Sequence, residues 1–394
     1  MGMMLFDTKK GLFQVRIKVL GIGGGGCNAV DTMVRMQMQK VAFAAVNTDI
    51  QSLGRCAAEE KIQIGELATS GLGAGANPSI GRQAAEESLD RIQDSLQNTD
   101  ICIITAGMGG GTGTGAAPVI AQAARQMGKL VIAFVTTPFE FEGRQRTRNA
   151  LAGLDELRSH VHTLIVIPNE KLYAMITEDT SLLDAFKKVD FLLMEAVKSL
   201  TRMILEPGLI NLDYADVRSV MSIPGPSLIS FGEGMGVHRA VNAVDAALSN
   251  ILAESRKLKG AKGLLVNVVG GVDLTLHEVT RCIRKLQTTI HDDANIIFGA
   301  NIDASVGDKV MITLIATGIE ESVDDTSRIM APYHQAPKET ESKAESLRLH
   351  PHPPGDGSAL FEGPFQSSNE EDLDIPAYLR RNKKYLGIPS REIE

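Results

Sequence analysis

Six glycines stand within the nine residues Gly107-Met-Gly-Gly-Gly-Thr-Gly-Thr-Gly115. A turn so poor in side chains lets backbone N–H groups close around a ligand, and glycine at that density costs order unless close approach is needed. Ile101 to Ala106, just before it, is apolar enough for a buried strand, and Ala116 to Met127, just after it, reads as a helix with Pro118 tolerated in the first turn. A helix N-terminus that follows a strand favours an anion, because unpaired N–H groups and the helix dipole both point there. Phosphate is the expected anion. Thr112 and Thr114 add hydroxyls for phosphate oxygens or a metal-bound water. A plain strand-to-helix turn needs far fewer glycines.

Three other sets of side chains bear on a bound phosphate compound. Asn211-Leu-Asp-Tyr-Ala-Asp216 carries two carboxylates three residues apart; if Tyr214 opens a helix, Asp213 caps it and Asp216 lies close by. Taken alone, that is a helix start enriched in acids. Glu142 and Arg146 are four apart and share a face if their segment is helical, but a surface ion pair contributes little. Asp190 is an acid within an apolar helical stretch. Such a residue is ordinarily solvated, yet beside a nucleotide pocket it can accept hydrogen bonds from a base edge.

The elements that must position these groups can be read in order. Gln14 to Leu20 alternates like a strand, Gly21-Ile-Gly-Gly-Gly-Gly-Cys-Asn28 leads into a helix, and Val41 to Val46 is the next strand. This stretch satisfies G-x-G-x-x-G at Gly21, Gly23 and Gly26, with Asp49 downstream, so a dinucleotide-binding fold is a rival. A further glycine loop, Gly71 to Pro78, opens a helix carrying Ile80, Ala84, Leu89, Ile92 and Leu96 on roughly one face. Three glycine loops exceed what one pyrophosphate needs and suit a nucleoside di- or triphosphate gripped from several sides. No G-x-x-x-x-G-K-[ST] is present, which excludes a P-loop. The phosphate loops hold no Lys or Arg, so N–H groups, dipoles and Mg²⁺ must offset the charge.

Lys129 to Thr136 and His162 to Ile167 are further strands, the second closed by Pro168-Asn169. Ser181 to Leu205 is a long helix whose stripe of Leu182, Leu183, Phe186, Val189, Leu193, Val197, Leu200 and Ile204 suits a central position, and Pro207-Gly208 stops it. At 1.5 Å per residue, about 25 helical residues carry the chain roughly 37 Å from the nucleotide side. Asp213 and Asp216 are therefore expected at the pole opposite the glycine loops, out of reach of their own subunit's nucleotide. They could act on a neighbour's if subunits stack head to tail, a heterologous contact that makes an open filament.

Ser227 to Gly318 reads as a second αβ unit: strands at Leu228–Phe231 and Gly263–Val269, helices at Val237–Ser255 and Leu274–Ile290, and strands at Ala294–Ile302 and Lys309–Thr317 joined by a hairpin-like turn at 304–308. His238, His277 and His291 lack metal-ligand spacing and read as structural. From Glu320 the composition shifts to Ser, Pro, Glu, Lys and His, the signature of a disordered linker; Asp372 to Arg381 then gathers Leu373, Ile375, Tyr378 and Leu379 into a short docking motif. The 394 residues allow two domains and a tail, and with a net charge of −8 nucleic acid is not the default partner. Four cysteines without C-x-x-C spacing read as reduced cytosolic thiols, no apolar run reaches membrane-spanning length, and Met1 to Phe13 lacks a signal-peptide layout.

These motifs together resemble the tubulin/FtsZ superfamily, and within it the FtsZ family. Gly107 to Gly115 is similar to its signature loop, and Asn211 to Asp216 to its synergy loop; Asn47-Thr-Asp49, Gly71 to Pro78, Pro138 to Arg146 and Asp372 to Arg381 also match. The likeness runs from about Gln14 to Gly318 and resumes at the tail. It implies an α/β chain: an N-terminal extension (1–13), a Rossmann-like GTP-binding domain with a mostly parallel sheet (14–180), a central helix and synergy loop (181–222), a second α/β domain with a mixed sheet (223–319), a disordered linker (320–370) and a partner-binding tail (371–394). It implies a GTPase that polymerises into protofilaments of the division ring in the cytoplasm, with GTP/GDP and Mg²⁺ as cofactors and no metal held by protein ligands. Carried over by position, Gly24, Gly25, Gly26, Cys27 and Asn28 would line the nucleotide, with Asn28 near the guanine. Gly111, Thr112 and Gly113 would hold phosphates, Glu142 and Arg146 would contact the sugar–phosphate region, and Asp190 would read the guanine edge. Asn211, Asp213 and Asp216 would form the catalytic loop, the two acids positioning or polarising the attacking water, or its cation, in the adjoining subunit. The tail would dock on membrane tethers and regulators of division. Two features depart from the family: Phe191 follows Asp190 where a small polar residue is usual, and Ile223-Pro-Gly-Pro226 replaces a Met- and Gly-rich stretch. Two other readings compete: a nicotinamide-dependent dehydrogenase, which leaves two glycine loops unexplained, and a nucleotide-stapled filament with negligible turnover, against which the paired acids argue.

Overall fold

A parallel sheet needs cover on both faces, and the first sheet has it. The computed structural model describes residues 15–171, 177, 179–206, 208–210, 212–249, 260–290 and 293–319. Six strands, β1 (Ile17–Ile22), β2 (Ala42–Asn47), β3 (Glu60–Gln63), β4 (Ile101–Gly107), β5 (Leu130–Thr137) and β6 (Thr163–Pro168), form a sheet in the order β3-β2-β1-β4-β5-β6. Every pairing in it is parallel. Side chains alternate between two cores. Val19, Ile103 and Phe134 face α1 (Gly23–Arg35) and a long helix, α8 (Leu182–Leu205). Leu20, Ile104 and Val135 face α4 (Pro78–Glu87), α5 (Leu89–Leu96), α6 (Thr112–Gln126) and α7 (Arg144–His160). Two short helices, α2 (Ile50–Arg55) and α3 (Glu66–Thr69), complete this half.

The second sheet contains β7 (Leu228–Gly234), β8 (Gly263–Gly270), β9 (Asn295–Ile302) and β10 (Val310–Thr317), in the order β7-β10-β8-β9. It is mixed: β10 is antiparallel to β7 and β8, whereas β8 and β9 are parallel. Helices α9 (Tyr214–Met221), α10 (Arg239–Ser249) and α11 (Leu276–Gln287) flank it. The expected hairpin at 304–308 is absent. β8 lies between β9 and β10, so the turn carries the chain past one strand to pair with a distant one.

Four boundaries also differ from the sequence reading. β3 is an additional, short strand that its single buried residue, Ile62, does not announce as a pattern. The helix after Pro78 is two helices meeting at Ser88. α6 begins at Thr112, four residues early, because Gly113 and Gly115 serve close packing: a Cβ on Gly113 would lie 2.7 Å from Gly107 O, and one on Gly115 2.0 Å from Pro78 O. The apolar stripe of α8 is buried at Val189, Leu193, Val197 and Leu200 and half-buried at Ile204, while Leu182, Leu183 and Phe186 are exposed.

Helix α8 supplies Val189, Leu193, Val197 and Leu200 to a core that also contains Ile229, Leu265 and Ile315 of the second sheet. Helix α9 then wedges between the sheets. Its last carbonyls are taken by a threonine from each: Thr163 Oγ1 donates to Met221 O, and Thr317 Oγ1 donates to Val220 O at 3.0 Å. The two prolines at 224 and 226 lie in the link from α9 to β7, where Gly225 takes φ +126° and Pro226 O accepts from Ile319 N at 3.1 Å. The linker and the tail motif at 372–381 lie outside the described residues, as does Asn211.

Candidate functional site

The carboxyl ends of the parallel strands open on a cleft of roughly 440 Å³. Its floor is backbone. Gly24 and Gly25 come from the first turn of α1, and Gly110, Gly111, Thr112 and Gly113 from the β4–α6 junction. Two helix N-termini thus aim unpaired N–H groups at one space, the arrangement suited to a chain of phosphates. Gly109 holds φ +105°, a value side chains disfavour, and its N–H donates to Thr114 Oγ1 at 2.8 Å. Thr114 therefore shapes the loop, while Thr112 lines the cleft with its hydroxyl 2.7 Å from the buried Thr48 Oγ1. Ala74 and Ala76 bring the third glycine loop to the rim.

The walls hold most of the other expected residues. Asn28, Glu142, Arg146 and Asp190 all line the cleft. Glu142 belongs to a short 3-10 turn and Arg146 to α7, so they pair across a helix start and not along one helix. Glu142 Oε2 binds the Arg146 guanidinium, and Oε1 accepts from Phe139 N at 3.0 Å. Asp190 sits where burial, aided by the nearby charge of Asp31, pushes its carboxyl up to about 7. A carboxylate so placed gains from N–H donors that would hold it ionised.

Gly26 and Cys27 do not line the cleft. A Cβ on Gly26 would meet Thr105 O at 2.3 Å, so Gly26 seats α1 on the sheet. The Cys27 thiol is buried, its Sγ 3.6 Å from Gly21 O, and burial pushes it up to about 12, leaving an inert packing group. Asp49 caps α2, its Oδ1 accepting from Gln51 N at 2.8 Å and Ser52 N at 3.2 Å. The acid that a dinucleotide fingerprint would use on a ribose is thus spent on a helix.

Sequence reasoning missed Asn169. It is 5% exposed and lines the cleft, and its Oδ1 makes no hydrogen bond. A buried acceptor left empty is costly unless a ligand donor fills it. Its one signal was position, directly after β6 at the carboxyl edge of the sheet. Thr136 and Pro138, at the end of β5, were missed likewise, and Phe186, Val189 and Leu193 were read only as core.

The paired acids lie elsewhere. Asp213 caps α9, its Oδ1 accepting from Asp216 N at 2.8 Å, and both side chains are exposed. The segment before them lies against β9, with Leu209 N donating to Ala300 O at 2.8 Å. Asp190 and Leu205 are fifteen residues apart on α8, about 23 Å along its axis. The structure therefore gathers Gly24, Gly25, Asn28, Gly111, Thr112, Gly113, Glu142, Arg146 and Asp190 at the cleft, leaves Gly26 and Cys27 outside it, and sets Asp213 and Asp216 at the far pole. Exposed large apolar side chains mark both ends: Ile50, Leu67, Leu72, Phe141, Leu182 and Leu183 on the cleft side, and Leu209, Met235, Val237, Val272 and Leu276 on the other. Among the described residues no acid, His or Cys cluster could hold a metal, and no helix is long and apolar enough to cross a membrane.

Fold and cleft define a nucleotide-binding α/β protein of the tubulin type. Residues 16–177 match the Tubulin/FtsZ family, GTPase domain, and residues 225–320 match the FtsZ family, C-terminal domain. Cell division protein FtsZ 1 of Rhizobium meliloti (strain 1021) is 44% identical over 339 residues, which is 86% of this chain. The chain spans 58% of that relative's length. An FtsZ dimer from M. jannaschii is similar in structure, with a TM-score of 0.73 and 42% identity over 77% of this chain and 88% of that one. CetZ2 from Haloferax volcanii, solved as a GTPγS-bound protofilament, shares the fold at 19% identity and TM-score 0.68, covering 80% of this chain and 97% of that one. The chain belongs to the tubulin/FtsZ family, in its FtsZ branch.

Proposed function

We propose that the chain binds and hydrolyses GTP and assembles head to tail into filaments of the cell-division ring, each active site completed by the acids of the next subunit. One observation carries this reading: the cleft and the exposed aspartates lie at opposite poles, and each pole bears apolar side chains that a neighbouring copy would cover. The relative from M. jannaschii, solved as a dimer, supports self-association. The Rhizobium relative's role in cell division supports the setting.

In this reading Gly24 and Gly25 and the Gly110–Gly113 loop take the phosphates on backbone N–H groups. Asn28 and Asp190 hold the guanine, whose N1–H and exocyclic N–H suit a carboxylate. Arg146, oriented by Glu142, faces the sugar–phosphate region, and the empty Asn169 Oδ1 accepts from a ribose hydroxyl or a base N–H. Gly26 and Cys27 serve by seating α1. The donor set at the phosphate end is N–H groups with the Thr112 residue beside them, which fits a Mg²⁺ held through phosphate oxygens and water; such an ion would offset phosphate charge. Asp213 and Asp216, with Asn211, arrive from the adjoining subunit to orient water at the terminal phosphate. The tail around Asp372–Arg381 serves as the docking segment for membrane-tethering and regulatory partners.

The test is phosphate release per subunit, measured beside GTP-dependent light scattering over a series of protein concentrations. Release per subunit should rise as scattering appears. A rate that stays flat across the assembly threshold refutes completion between subunits, and scattering without release points to a nucleotide-stapled filament.

A further inference from the structure

Asp303 joins elements that nucleotide contact does not explain. Its N–H donates to Gly270 O at the end of β8, at 2.9 Å. Its Oδ1 caps the turn Ala304–Val306, accepting from Ser305 N at 2.9 Å and Ser305 Oγ at 2.5 Å. Its Oδ2 accepts from Arg202 Nη2 at 2.7 Å. Arg202 belongs to the last turn of α8, and its Nε also donates to Glu206 Oε2 at 3.1 Å.

Residues 208–210, on the way to Asp213, lie against β9. Ala300 O accepts from Leu209 N at 2.8 Å and Ala300 N donates to Ile210 O at 3.2 Å. Ala300 is three residues before Asp303. Gly208 lies so close to β9 that a Cβ would meet Ala300 O at 2.6 Å. An isolated surface ion pair contributes little, but this one has both carboxylate oxygens engaged and closes the base of the acid-bearing loop.

We propose that Arg202 and Asp303 are positioning residues: their ion pair fixes the spacing between the end of α8 and the end of β9, and so the reach of Asp213 and Asp216 into the neighbouring subunit's cleft. This rests on the completion of the site between subunits. Neither residue lines the cleft, so nucleotide affinity and turnover should separate.

The experiment uses the full chain and the variants Arg202→Met, Arg202→Lys and Asp303→Asn, the last designed to keep an acceptor for the Ser305 cap. GDP affinity, Tm, sedimented polymer and phosphate release per polymerised subunit are measured together. Arg202→Met should bind GDP within about twofold of the parent and sediment with GTP. It should turn over about fivefold or more slowly per polymerised subunit, a loss expected when reacting groups are displaced by a fraction of an ångström. Arg202→Lys should recover part of the rate. Parental turnover in Arg202→Met overturns the proposal while leaving completion between subunits standing, provided the parent's own rate rises with concentration. A flat rate in the parent overturns both. If Arg202→Met fails to fold, Asp303→Asn is read the same way, and loss of GDP binding or of the folded state in both makes the pair merely structural and also overturns the proposal.

Discussion

Nucleotide affinity should depend on the protonation of Asp190, and the dependence can be worked out. Burial and the neighbouring Asp31 push the free carboxyl up to about 7. Guanine offers two N–H donors, which favour the ionised form and lower the value in the complex. The sign follows: below about pH 7 the free protein holds a neutral acid that must lose its proton to bind, so affinity falls as pH falls. For a free value of 7 and a much lower bound value, the ionised fraction drops from about nine-tenths at pH 8 to about one-tenth at pH 6, a tenfold loss worth about 1.4 kcal/mol. GDP is the ligand of choice because it avoids turnover. Its terminal phosphate also titrates near pH 6, so the parent is compared with Asp190→Asn at each pH. Isothermal titration in two buffers of different ionisation enthalpy would count the protons released directly. A parent-to-variant affinity ratio that is constant from pH 6 to pH 8, with no proton release, would refute this account of Asp190.

Other outcomes are equally checkable. Asp213→Ala should bind GDP normally and hydrolyse GTP at least tenfold more slowly, and loss of GDP binding would show that the acids are not at the far pole. Gly24→Ala has no atom within 4 Å of the new Cβ and should keep its Tm while losing nucleotide affinity, whereas Gly26→Ala would lie 2.3 Å from Thr105 O and should lower Tm. Arg239 bonds Glu278 at 2.7 Å and the more exposed Asp273 at 2.8 Å, so Arg239→Met should cost about 1.5–3 kcal/mol in denaturant unfolding. Arg239 also holds the Glu278 carboxyl down at about 2; the stability it contributes should be present above the ordinary Glu range and be lost as pH falls from about 4.5 towards 2, visible as a falling Tm.

Five of the six strands of the first sheet were legible because they are apolar or alternating runs followed by glycine or other turn residues, all local signals; β3, with a single buried residue, was not. The separation of Asp213 from the cleft was legible from helix length alone. What local pattern could not give was pairing. β10 meets β7 and β8 across long stretches of chain, and the short turn after β9 imitates a hairpin closely enough to mislead. Two purposes of glycine were also confounded. Gly109 answers a backbone angle, while Gly113 and Gly115 answer the approach of α6 to its neighbours, and composition does not distinguish them. Asn169 escaped because one asparagine after a strand is ordinary; only its empty acceptor, visible in three dimensions, marks it.

Because each sheet caps one of the last two carbonyls of α9, through Thr163 and Thr317, neither half owns that helix end. The two halves are thus joined at that helix end by two hydroxyls, in addition to the apolar core that α8 shares with both sheets. A threonine lost on either side would leave one helix-end carbonyl without its side-chain donor and the seam between the sheets held by packing alone on that side.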